Sequence, residues 1–65
     1  MKVKALINMM NDYGTNPRIK VLRHTSEAAY IEYEGKPHNI DEEISQLKVN
    51  SFTVIGKGFI EIHTS

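Results

Sequence analysis

The chain has no cysteine, and that absence removes several chemistries at once. There can be no disulfide staple, no thiolate zinc site and no cysteine nucleophile. There is no long hydrophobic run either. The opening Met1-Lys2-Val3-Lys4-Ala5-Leu6-Ile7 is too short and too interrupted for a signal peptide, and no segment has the length of a membrane span. Together these absences lead us to expect an intracellular, soluble, cytoplasmic protein with no membrane partner. There is no net charge, with eight Lys and Arg against eight Asp and Glu, so the strongly basic balance of a typical nucleic-acid domain is lacking.

What is present is a single short domain, residues 1–65. A chain of this length buries only about 60% of the surface its unfolded form exposes, so its core is marginal. Small domains often add stability through association when disulfides and metals are not used. The charges are segregated. Residues 1–24 hold Lys2, Lys4, Arg18, Lys20 and Arg23 against Asp12, a balance of +4. Residues 25–47 hold Lys36 against Glu27, Glu32, Glu34, Asp41, Glu42 and Glu43, a balance of −5. Residues 48–65 hold Lys48 and Lys57 against Glu61, a balance of +1.

Periodicity sets out the elements. Val3, Leu6, Ile7, Met10 and Tyr13 share one helical stripe, and Gly14 is placed to end that helix, with Pro17 preventing its continuation. Arg18 to His24 alternates as a strand. A polar turn at Thr25-Ser26-Glu27 leads to a second alternating run, Ala28 to Glu34, and Gly35, Lys36 and Pro37 break it. Asn39-Ile40-Asp41-Glu42 has the form of a capping box opening a two-turn helix that ends near Leu47. Ser51 to Ile55 and Phe59 to His63, joined by Gly56-Lys57-Gly58, form a second hairpin. The expected fold is α+β, in the order α-β-β-α-β-β, with a four-stranded antiparallel sheet and the N-terminal helix packed on one face. Ile19, Val21, Ala29, Ile31, Tyr33, Phe52, Val54, Ile60 and Ile62 are expected to face that helix.

The opposite face then carries Lys20, Leu22, His24, Tyr30, Glu32, Ser51, Thr53, Ile55, Phe59, Glu61 and His63. Open antiparallel sheets normally turn polar residues to water. Leu22, Tyr30, Ile55 and Phe59 interrupt that rule and are the expected contact residues for a protein partner or a second copy of the chain. An alternative is weak nucleic-acid binding by Lys2, Lys4, Arg18, Lys20 and Arg23, with Tyr30 and Phe59 as stacking surfaces.

Catalytic constellations are not evident. His24, His38 and His63 match no zinc spacing, and no metal or cofactor is expected. Asp41, Glu42 and Glu43 suit the first turn of an exposed helix, where the helix dipole accounts for them. Gly56-Lys57-Gly58 lacks the spacing of a phosphate loop. There is no nucleophile elbow, and an enzyme is not expected.

The opening Met1-Lys2-Val3-Lys4-Ala5-Leu6-Ile7, the Tyr13-Gly14 pair and the two hairpins around a short acidic helix resemble small proteins encoded by phages and prophages of Gram-positive bacteria. The resemblance is one of size and layout over most of the chain. It implies an accessory, non-catalytic role exercised by binding other proteins, and it carries over no site residues.

Overall fold

The computed structural model describes residues 1–12, 16–56 and 58–65. The expected helix stripe position Tyr13, the helix end at Gly14 and the turn residue Lys57 lie outside the described residues. The elements are α1 (Val3–Asp12), β1 (Arg18–His24), β2 (Ala29–Gly35), a 3-10 turn (Pro37–Asn39), α2 (Glu42–Ser45), β3 (Val49–Gly56) and β4 (Phe59–Thr64). The order α-β-β-α-β-β is as the periodicity indicates.

The sheet runs β2-β1-β4-β3. Each hairpin is antiparallel, but β1 and β4 pair in parallel. The sheet is therefore mixed, where alternation alone suggested a wholly antiparallel one. The cause is burial. β1 and β4 carry the β-branched residues that α1 covers, so they take the two central positions. Val3, Leu6, Ile7 and Met10 of α1 close over Ile19, Val21 and Ile62, and these seven residues form the buried hydrophobic core among the described residues. Tyr33, Ile40, Ile44, Leu47, Val49 and Ile60 pack around its margin. Thr64 is fully buried beside them, its hydroxyl donating to the Leu22 carbonyl at 2.8 Å across the parallel pair.

The first hairpin closes on Thr25. Its Oγ1 accepts from the amides of Glu27 and Ala28, and its amide donates to the Ala28 carbonyl at 2.8 Å. Thr25 thus organises the turn through its own side chain, a role small hydroxyl residues commonly take.

A bulge then alters β2. Val21 pairs with Tyr33, but Leu22 pairs with Ile31 and His24 with Ala29. Glu32 is the additional residue, and side-chain parity reverses across it. Tyr33 stays against the core. Ala29 and Ile31, expected to face the helix, move to the opposite face, and Tyr30, expected opposite, becomes the partner of Arg23 on the helix side.

The connection to β3 also differs from the capping-box reading. Pro37 opens a 3-10 turn that ends at Asn39, and Ile40 and Asp41 are extended. The N-cap of α2 is Asp41, with no side-chain cap bond, and the helix is only four residues long. The Tyr33 hydroxyl donates to the Lys36 carbonyl, which holds the chain in the Pro37 turn before Asn39 can act as a cap.

That tyrosine also fixes the requirement for glycine at 35. Gly35 has φ +150°, and a Cβ there would lie 3.1 Å from the Tyr33 hydroxyl. Gly35→Ala is expected to cost about 1–3 kcal/mol from backbone strain and close contact together. Chemical denaturation checks this, and an unchanged midpoint would show that the Tyr33 ring moves aside freely.

No described helix is long and apolar enough to cross a membrane.

Candidate functional site

The face away from α1 is mostly polar along the central strands. Lys20 stands in register with Glu34 on one side and Glu61 on the other, so two acidic residues flank it. Its ammonium also stands 6.0 Å from the centre of the Phe59 ring. Phe59 and Leu22 are only partly exposed.

The same face holds a chain of hydrogen bonds that the sequence does not announce. His24 Nε2 lies 2.7 Å from His63 Nδ1, and His63 Nε2 lies 3.0 Å from Glu61 Oε1. A carboxylate only accepts, so His63 Nε2 carries the proton, its Nδ1 accepts in the neutral ring, and His24 Nε2 donates. The ring centres are 4.9 Å apart. That exceeds the nitrogen separation by about one ring radius at each end, so the rings meet tip to tip rather than face to face. The lone pair of His63 is already engaged, and the chain acts as a polar clasp between β1 and β4. No group of three or more His, Asp or Glu converges on a metal position among the described residues.

The four residues expected to form the contact surface do not form one patch. Leu22 and Phe59 lie on the face away from α1, partly covered. Tyr30 lies on the other side beyond the bulge, and Ile55 sits in the irregularity between Val54 and Gly56. The five basic residues are dispersed as well. Lys2 donates to Gln46 Oε1 at 2.6 Å, Lys4 is exposed on α1, and Arg18 and Lys20 lie on the opposite face of the sheet. Arg23 borders a depression that it shares with Glu32, Asp41 and Glu43. No single basic surface results.

The surface that does stand out lies on β3. Phe52 pairs with Ile62 and Val54 with Ile60, so both point to the helix side as alternation predicts. α1, however, covers only the central strands. Phe52 is left 51% exposed and Val54 65% exposed. Ile55 is more than half exposed, and so is Met1, which lines a shallow depression with Val49 and Phe52. A second open depression runs from Val54 past Ile60 to Pro17. Alternation places Phe52 and Val54 on the helix-facing side, but it gives the face of a residue and not whether a helix reaches it. The signal available was length: ten helical residues span about 15 Å, less than the width of four strands plus their side chains.

No family model, curated protein or solved structure matches this chain.

Proposed function

We propose that this chain is a non-catalytic accessory domain that works by self-association, using the uncovered helix-side strip of β3. The observation that carries this reading is the joint exposure of Phe52 and Val54, which stand in core register yet keep half or more of their surface free. A contiguous apolar surface of this kind is the usual mark of a protein contact. A 65-residue chain whose described residues bury a core of seven side chains also gains more from covering such a strip than a larger domain would. The layout resemblance to small phage and prophage proteins supports an accessory role, and the absence of cysteine agrees with a reducing, cytoplasmic setting.

Light scattering coupled to size exclusion tests the reading. Dimers are expected at tens of micromolar, dissociating on dilution. A monomer that persists at several hundred micromolar would remove it.

A further inference from the structure

Resting on that reading, we infer that the partner is a second copy joined strand to strand, β3 against β3 in antiparallel register, with Thr53 on the two-fold axis.

The sheet has two edges, and they are defended unequally. β2 carries Glu32 and Glu34 and is interrupted by the bulge. Natural edge strands use charge and bulges in this way to prevent pairing. β3, Val-Asn-Ser-Phe-Thr-Val-Ile-Gly, has no charged residue in eight. Its irregularities lie near its ends, between Val49 and Ser51 and between Val54 and Gly56, which leaves a regular middle. Two β2 edges would set glutamates against each other. Two β3 edges meet without repulsion.

Symmetry decides the faces. In antiparallel pairing the two-fold axis is perpendicular to the sheet, and opposed residues share a face. Phe52 and Val54 of both copies therefore fall on the α1 side, beside one another. The strip that α1 leaves open becomes the middle of a continuous eight-stranded sheet, between the two helices. Met1, Phe52, Val54 and Ile55 each keep about half their surface or more free. At roughly 100 Å² apiece that is at most on the order of 800 Å² of side-chain surface over two copies, below the range of stable specific interfaces and within that of weak, transient ones. The dimer should accordingly be a micromolar one.

The N-terminus limits the register from one side. The Val49 amide donates to the Met1 carbonyl at 2.8 Å, and Lys2 bridges Lys48. Backbone already fills the lane beside Val49, so the free edge starts at Asn50. An axis at Phe52 would place the partner's Gly56 against Lys48, where Lys2 sits. An axis at Thr53 brings the partner's Gly56 level with Asn50, at the first open position. It also opposes Phe52 to Val54 twice on the helix side, within the regular stretch.

Two measurements test the pairing separately from self-association itself. A nitroxide on Thr53→Cys, in a chain with no other cysteine, is expected to show strong dipolar broadening that disappears on dilution. The same label on Ile31→Cys at the β2 edge should show none. In the unmodified protein, amide exchange of the edge-facing β3 residues is expected to slow at least tenfold between dilute and concentrated samples. A monomer at all concentrations would overturn both the pairing and the self-association. A dimer with neither broadening at 53 nor β3 protection would overturn the strand pairing and leave self-association standing. β3 protection without broadening at 53 would overturn the register.

Discussion

Ile62→Ala is expected to leave much of the protein unfolded at room temperature. Ile62 has no exposed surface and lies on a central strand, bonded into both hairpins, among Val3, Leu6, Ile7, Met10, Ile19 and Val21. Truncating a buried isoleucine to alanine costs about 2–5 kcal/mol, through lost transfer energy and the cavity left behind. At the usual stability per residue a domain of this size has only roughly 3–10 kcal/mol in total. Few neighbours are free to collapse into the space, because the sheet backbone fixes those on β1 and the helix fixes those on α1. Urea denaturation followed by circular dichroism, at one fixed protein concentration, reads the effect. A midpoint close to that of the unmodified chain would mean that the α1–sheet contact contributes far less than its burial indicates.

Phe52→Lys is expected to do the reverse, leaving the fold intact and removing the association. Phe52 is half exposed in the single chain, so its replacement costs the monomer little. In the proposed dimer part of the free half of each ring packs against the partner copy's Val54. Covering about 50 Å² per copy is worth roughly 1.2 kcal/mol at 25 cal/mol per Å², and it occurs twice by symmetry. The dissociation constant should rise by about fiftyfold or more, before any cost of desolvating two ammonium groups at the seam. The measurement is light scattering beside a thermal melt. A Phe52→Lys protein that is still a dimer at tens of micromolar would place the contact elsewhere. One that is unfolded would show that Phe52 belongs to the monomer core, and Val54→Lys, at a more exposed position, would then separate the two effects.

Much of the fold is legible in the sequence because each helix-facing residue obeys one local period. Val3, Leu6, Ile7 and Met10 recur at helical spacing. Ile19 and Val21, and Ile60 and Ile62, alternate at strand spacing, and all of these stand where the spacing puts them, against the core or at its margin. The Thr25 turn is readable from its residue types. What is not legible depends on partners distant in sequence. Nothing in Tyr30-Ile31-Glu32-Tyr33 marks a bulge, since there is no glycine and the alternation is unbroken. The bulge is imposed by keeping both Tyr33 and the far end of β2 in register with β1. The choice of β1 and β4 as neighbours is invisible for the same reason, and with it the His24–His63 contact, which spans 39 residues. The exposure of the β3 strip is not legible either. Phe52 and Val54 have the alternation of core residues, and only the reach of α1 distinguishes an inward position from a covered one.

The parallel seam between β1 and β4 also bears on how quickly the structure can form. Each hairpin is local and can close within microseconds. Joining them aligns Arg18 with Phe59, so the loop that must close encloses some forty residues and its entropy is lost before the core gives any return. The seam is also where Val21 and Ile62 first meet under the helix. The rate-limiting step should therefore be the docking of two preformed hairpins, and folding should be slower than the chain's length alone suggests. Until that docking is complete, β1 and β4 each present an open, apolar strand edge.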